Sequence, residues 1–171
     1  MTFEFNCEEF AQQLTDEASK YVAENMTDED RKFVLEHFYD CALRSARVLS
    51  QDKTLELSKE EVVSVAYIIM EWIFKVTVAL VESDIPKELR HGIILDIGYV
   101  AFDITKDVCK IPDVTNNQIF NTGEYHVINK LKNILESMIA DKVITEKMRD
   151  GLLGHPYISK SEKRIEFALN R

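Results

Sequence analysis

The chain has 171 residues, of which 46% are hydrophobic and 30% charged, so it is long enough and apolar enough to form a globular domain. Its net charge is −9 and is unevenly distributed, since residues 1–120 sum to −11 and residues 121–171 to +2. This acidic balance excludes nucleic acid as a ligand, because phosphate binding requires clustered lysine and arginine.

The excess of negative charge favours a basic protein partner, although the same charge also serves to keep an ordinary domain soluble. Three cysteines without a CxxC pair are typical of reduced thiols in the cytoplasm. The N-terminus is acidic and lacks the basic segment and apolar core of a signal peptide. A cytoplasmic location is therefore expected.

Two amphipathic helices are predicted at the start of the chain. Asn6 is a suitable N-cap for a helix over residues 7–25, whose first turn is acidic. Thr27 likewise begins a second helix, which extends to about residue 49. Both segments carry apolar residues at spacings of three and four, so each is expected to pack one face against a core.

The third predicted helix, residues 59–83, is the most informative segment because it has almost no polar face. Ser58 and Glu61 form the capping box that begins it. Its apolar middle holds only two charges, Glu71 and Lys75, spaced four apart as in a helical ion pair. Charges are costly at the centre of a membrane, so the sequence predicts a central core helix and no membrane span.

Two side chains of this helix lead to specific expectations. Trp72 lies among its most apolar residues and is predicted to be buried in the middle of the core. Glu71 is a carboxylate in an apolar setting, which favours an ion pair with Lys75. The alternative is an acid or ligand with an altered pKa.

The fourth predicted helix, residues 86–109, carries the candidate partner-binding residues. Asp96, Asp103 and Asp107 share one face only if this segment is helical, because in a strand the first two would point to opposite sides. The simplest interpretation is a solvated face, and the alternative is an acidic docking strip for a basic partner. Gly98 indicates a close helix–helix contact or a slight kink.

The C-terminal third is predicted to begin with a long connection, residues 111–122, that covers the core or forms a binding loop. A helix over residues 123 to 140 or 142 follows, with Thr122 as its cap. A short helix over residues 145–150 ends at Gly151, and a capping box at Ser159 begins the terminal helix. The whole chain, residues 1–171, is thus predicted to be one all-α domain, a bundle of six to seven helices around the central helix.

Two sets of residues have spacings that metal sites use. Glu88 and His91 are three apart, but the second such pair that a helical di-metal centre needs is missing. His37 and Cys41 are four apart, but a transition-metal site needs about four ligands. The sequence also lacks phosphate-binding glycine loops and hydrolase motifs. We therefore predict no catalytic residue, no metal and no cofactor.

These observations favour a soluble, non-enzymatic helical domain that acts by protein–protein interaction, including self-association. One alternative is an acidic binder of a basic protein, such as an immunity-type inhibitor of a nuclease or a mimic of nucleic-acid charge. A different class is a helical enzyme or metal protein that uses Glu71, Glu88 and His91.

Overall fold

The computed structural model describes the backbone of residues 4–169 and the side chains of residues 4–165. This part of the chain forms seven helices and no strand, which confirms the predicted all-α bundle. In chain order the helices are α1 (Cys7–Ser19), α2 (Asp28–Gln51), α3 (Lys59–Val81), α4 (Lys87–Cys109), α5 (Asn116–Ala140), α6 (Glu146–Leu153) and α7 (Pro156–Leu169).

Helix α3 is the centre of the bundle, as its composition predicted. It packs against α2, α4, α5 and α7, and most of its residues are buried. By length and apolar composition it is also the one described helix that could cross a membrane. Most of that apolar window is buried in protein, as is typical of a core helix. It ends at Val81, two residues earlier than predicted, because Ser83 N–H bonds the carbonyl of Leu80 and tightens the last turn.

The caps of the first three helices follow the sequence signals. The side chains of Asn6 and Thr27 accept hydrogen bonds from the third backbone N–H of α1 and α2. Ser58 and Glu61 form both hydrogen bonds of a capping box, with N–O distances of 3.2 and 2.8 Å. These local signals fix where each helix begins.

Helix α1 ends at Ser19, six residues earlier than predicted. The following residues form short turns, and Val22 is buried in a small apolar cluster with Val34, Val78 and Val81. If α1 continued as a helix, Val22 would follow the axis of α1 and would not enter this cluster. The chain turns instead, because burying this valine against α2 and α3 removes apolar surface from water.

The predicted connection over residues 111–122 is largely wrong, because α5 begins at Asn116. Thr115 and Gln118 form a capping box that the sequence reading missed, and Thr122, the predicted cap, lies inside the helix. The segment does cover the core, as predicted, but as the first turns of α5. Ile119 is buried, and the ring of Phe120 packs on the core.

The short helix begins as predicted, with Thr145 as its N-cap, but its predicted end and the predicted start of the terminal helix are wrong. Gly151 lies inside α6, and Ser159 lies inside α7. Helix α7 begins at Pro156, a residue suited to a first helical position because it has no N–H to satisfy. The ring nitrogen Nδ1 of His155 accepts from the N–H of Tyr157 at 3.1 Å, so a histidine takes the place of the usual serine cap.

Candidate functional site

Helices α2 and α4 run parallel to each other on the surface of α3 and contact each other near their ends. At one end the buried guanidinium of Arg90 donates to Asp30 at 3.0 Å. Beside it, Nε2 of His37 and Nδ1 of His91 are 2.7 Å apart. Nδ1 of His37 lies 2.9 Å from the carbonyl of Phe33, which only accepts, so this nitrogen carries a proton. In the neutral pair, His91 therefore donates to His37.

At the other end the two helices are joined by an ion pair. Asp52 is the C-cap of α2, and its carboxylate lies 2.8 Å from the ammonium of Lys106 on α4. The N–H and hydroxyl of Thr54 donate to the same carboxylate. The hydrogen bond from Lys106, followed by those from Thr54, holds the pKa of Asp52 below its usual range. The carboxylate in turn raises the pKa of Lys106.

Between these two contacts the helices leave an apolar cavity of about 400 Å³, which we call the α2–α4 slot. Ile69 and Ile73 of α3 form its floor. A Cβ atom added to Gly98 would lie 3.5 Å from Ile73 Cδ1, an ordinary van der Waals contact, so the approach of α4 to α3 does not require glycine at this position. The complete lining is Cys41, Arg44, Ser45, Val48, Ile69, Ile73, Ile94, Leu95, Gly98, Tyr99, Phe102 and Asp103.

The rims of the slot carry exposed apolar surface and opposite charges. Val48 on α2 and Tyr99 on α4 are exposed, the latter by 60%. Arg44 stands on the α2 rim and Asp103 on the α4 rim. Neither of these two residues forms a salt bridge with any residue whose side chain the structure describes. The slot is thus apolar in the middle, with unpaired positive charge on one edge and negative charge on the other.

One residue of the predicted acidic strip, Asp103, lies on the α4 rim of this slot. Asp96, Asp103 and Asp107 are all exposed on one side of α4, and Asp103 also lines the slot. The ammonium of Lys106 interacts electrostatically with Asp103 and Asp107, but its short ion pair is with Asp52. The strip therefore keeps a net negative charge facing solvent.

The sequence contains two pairs with the spacing of metal ligands, Glu88 with His91 and His37 with Cys41. The structure brings one histidine of each pair together. His37 and His91 are in contact, while Glu88 is exposed on the surface. No cluster of three or more potential metal ligands occurs within the described residues. Cys41 lines the slot, and burial raises the pKa of its thiol to about 11, which leaves it protonated at neutral pH.

Glu71 lies on a different face of the molecule from these histidines. Its carboxylate is half-exposed and lies 2.8 Å from the ammonium of Lys75, as the spacing of four predicted. Lys75 also lies over the ring of Trp72, 5.1 Å from its centroid. The structure therefore does not bring Glu71, Glu88 and His91 together into one site.

Sequence reasoning missed the α2–α4 slot and its rim residues Arg44, Val48 and Tyr99. The slot depends on how two helices are spaced on a third, and the histidine contact joins residues that are 54 positions apart. Neither feature has a local signal. A separate depression, of about 1220 Å³, is lined by the segment from residue 49 to residue 61, which includes the connection between α2 and α3.

The slot offers apolar contact area and two charged edges, which are means of binding. Comparisons with models of protein families, with curated proteins and with solved structures find no match for this chain.

Proposed function

We propose that this protein is a non-enzymatic binding domain of the cytoplasm, and that its α2–α4 slot receives an amphipathic helix from a basic protein partner. The observation that carries the proposal is the acidic strip Asp96, Asp103 and Asp107 beside an apolar slot. Apolar anchors bind in the slot, and lysine or arginine side chains along one edge of the bound helix meet the strip. Three free cysteines among the described residues suit a reducing compartment.

The length of the slot supports a helical occupant. The α4 side of its lining, from Ile94 to Asp103, measures about 14 Å at about 1.5 Å per residue, which is room for two to three helical turns. The carboxylates follow one another at intervals of seven and four residues. A partner helix with basic side chains at the same intervals carries them on one edge. Such an edge pairs with the three carboxylates in register.

The charges on the rims also predict the orientation of the partner. Arg44 on the α2 rim repels a second basic edge, so the bound helix is basic toward α4 and neutral or acidic toward α2. An acidic binder of the immunity type is one form of this function. A second copy of the chain is a different occupant, and the test below separates the two.

The proposal is tested by photo-crosslinking in the native cell. Tyr99 is replaced by p-benzoylphenylalanine, the protein is irradiated, and crosslinked peptides are identified by mass spectrometry. The control places the same residue at Tyr125, an exposed tyrosine on α5. We expect a crosslink from position 99 alone, to a basic amphipathic segment, and its loss when the three aspartates of the strip are changed to asparagine.

Three results would contradict this proposal. Crosslinks of equal yield from positions 99 and 125 would show that the slot is not the binding surface. A crosslink that persists in the triple asparagine variant would show that the strip plays no part. A crosslink to a second copy of this chain would replace the basic partner with self-association.

A further inference from the structure

A second groove lies on the face of α3 opposite the α2–α4 slot. The slot contacts α3 through Ile69 and Ile73, whereas this groove contacts it through the polar stripe that includes Tyr67, Glu71 and Lys75. At about 100° per residue these two sets point in nearly opposite directions from the helix axis. The groove has a volume of about 450 Å³ and also contacts α1 and the start of α7.

Aromatic rings dominate the groove, which we call the tyrosine groove. Tyr21 is 68% exposed and Tyr67 is 43% exposed, and the rings of Phe74 and Tyr157 lie side by side with centroids 6.5 Å apart. Tyrosine combines a large rigid apolar ring with a polar tip, and it is enriched at the buried centres of protein interfaces. Three tyrosine rings and the ring of Phe74 in one groove offer an aromatic surface that a partner can cover.

The tyrosine groove carries a negative charge on Glu17, whose carboxylate is held by a hydrogen bond. The hydroxyl of Tyr67 donates to Glu17 at 3.1 Å, and Glu17 forms no salt bridge with any side chain in the described part of the protein. Partial burial, together with the Glu17 carboxylate, raises the pKa of Tyr67, so its hydroxyl remains a donor. Glu71 is already paired with Lys75. The Glu17 carboxylate is therefore held in place by Tyr67 and can accept further hydrogen bonds.

We infer that the tyrosine groove binds an arginine-bearing apolar segment of a protein, with the guanidinium on Glu17 and stacked against the ring of Tyr21 or Tyr67. Arginine suits this site better than lysine, because a planar guanidinium pairs with a carboxylate through two hydrogen bonds while its face stacks on an aromatic ring. The inference does not depend on the proposed function, because the two binding surfaces share no residue.

The experiment is a display selection with the full-length protein. A library of random 12-residue peptides is selected against wild type and counter-selected against the Glu17→Gln variant, which has the same shape without the charge. We expect the enriched peptides to share an arginine next to apolar residues. Their Kd, measured by fluorescence anisotropy, should rise about tenfold on Glu17→Gln and about tenfold when the arginine is replaced by neutral citrulline.

Two matched control variants test whether the peptides bind in the tyrosine groove. Glu9→Gln removes an exposed carboxylate of α1 outside the groove and should change the Kd less than about twofold. Changing Asp96, Asp103 and Asp107 to asparagine should also leave the Kd unchanged, which separates this surface from the slot. Thermal melting that matches wild type shows that each variant is folded. Peptides without a shared arginine, equal binding to Glu17→Gln, or a selection that yields no binder would each overturn the inference.

Discussion

Trp72 is the largest fully buried side chain of the core and packs against Phe120, with ring centroids 4.7 Å apart. Its burial, at 1% exposure, confirms the sequence prediction. Trp72→Ala should lower the free energy of unfolding by about 3–5 kcal/mol, because it removes a large apolar contact and leaves a cavity. That is a large share of the ~5–15 kcal/mol typical of a domain. Urea unfolding followed by circular dichroism measures the change.

A matched variant, Trp72→Phe, separates the ring from its N–H group. The indole Nε1 is buried and has no hydrogen-bond acceptor among the described residues. Phenylalanine keeps much of the ring and removes this unsatisfied donor, so its cost should be well below that of alanine. Equal costs for both variants, or native fluorescence like that of tryptophan in water, would contradict the account of Trp72 as a packed core ring.

Cys41 gives a chemical probe of the slot. With a pKa of about 11, roughly 0.1% of the thiol is ionised at pH 8, against about a quarter for an unperturbed cysteine. Iodoacetamide should therefore modify Cys41 at least about 100-fold more slowly in the native protein than in guanidinium, as measured by mass spectrometry. A native rate within a few-fold of the unfolded rate would show that the thiol is not buried as described.

Cys109 is the natural control for occupancy of the slot. Burial raises the pKa of its thiol to about 11 as well, but it does not line the slot. A helix bound in the slot should slow the modification of Cys41 further and leave Cys109 unchanged.

At the scale of helices, the sequence predicts an element well when the signal is local. The Ser58–Glu61 box and the wide apolar surface of α3 both lie within one segment, and both are correct in the structure. The box of Thr115 and Gln118 was missed because glutamine replaces the commoner glutamate and the surrounding residues resemble a loop. The start of α7 was missed because His155 is an unusual capping group.

Helix α7 is tied to α5 by an ion pair that is buried on one side only. The carboxylate of Glu124 is 4% exposed and accepts two hydrogen bonds from Arg164, at 3.2 and 2.5 Å. Arg164→Met leaves this carboxylate buried without its partner, so we expect a loss of about 2–3 kcal/mol in the free energy of unfolding. This is below the usual cost of breaking a buried pair, because half of Arg164 is in solvent.

The control for this prediction is a fully exposed pair. Lys32 and Glu36 on α2 are 3.8 Å apart and both largely in solvent, so Lys32→Met should change stability by no more than about 0.5 kcal/mol. Urea midpoints for both variants provide the comparison. If Arg164→Met is as mild as Lys32→Met, the pair does not anchor α7.

At the scale of the whole molecule, the contacts between α2 and α4 hold the slot in shape. The folded-state pKa of Asp52 is lowered, so its contribution to stability is complete above the unfolded pKa of about 3.9 and is lost as pH falls below it. Asp52→Asn should therefore be less stable than wild type at pH 7, and the difference should narrow at pH 3. Lys106→Met should behave in the same way, because it removes the same ion pair.

A double-mutant cycle isolates the interaction between Asp52 and Lys106 from the other effects of each substitution. The coupling between Asp52 and Lys106, measured from urea unfolding of both single variants and the double variant, should be favourable at pH 7 and weaker at pH 3. A coupling of zero at pH 7, or one that does not change with pH, would show that the pair does not join the ends of α2 and α4.

The two grooves explain why α3 is at once the most apolar helix and one with a thin polar stripe. One face forms the floor of the slot and the opposite face carries the stripe into the tyrosine groove, while the neighbouring helices cover the rest. The Glu71–Lys75 ion pair and the acidic strip could both be predicted from spacing along one helix. The grooves themselves could not, because they depend on the spacing between helices that are distant in sequence.

The last prediction concerns how the acidic strip acts on a partner identified by the crosslinking experiment. Changing Asp96, Asp103 and Asp107 to asparagine should slow association several-fold at low salt, because the strip attracts a basic helix before contact. The effect should shrink as salt screens the charges. Folding stability should change by about 0.5 kcal/mol or less, since the three carboxylates are solvated.

The competing account is that these charges only keep the protein soluble, and a matched variant decides between the two. Changing Glu24, Glu60 and Glu146 to glutamine removes the same net charge from exposed positions away from the slot. Stopped-flow association rates of the three proteins at two salt concentrations give the comparison. If the strip guides the partner, only the aspartate variant slows, and the difference falls with salt. If both variants slow equally, total charge is responsible, and if neither slows, the strip serves solubility alone.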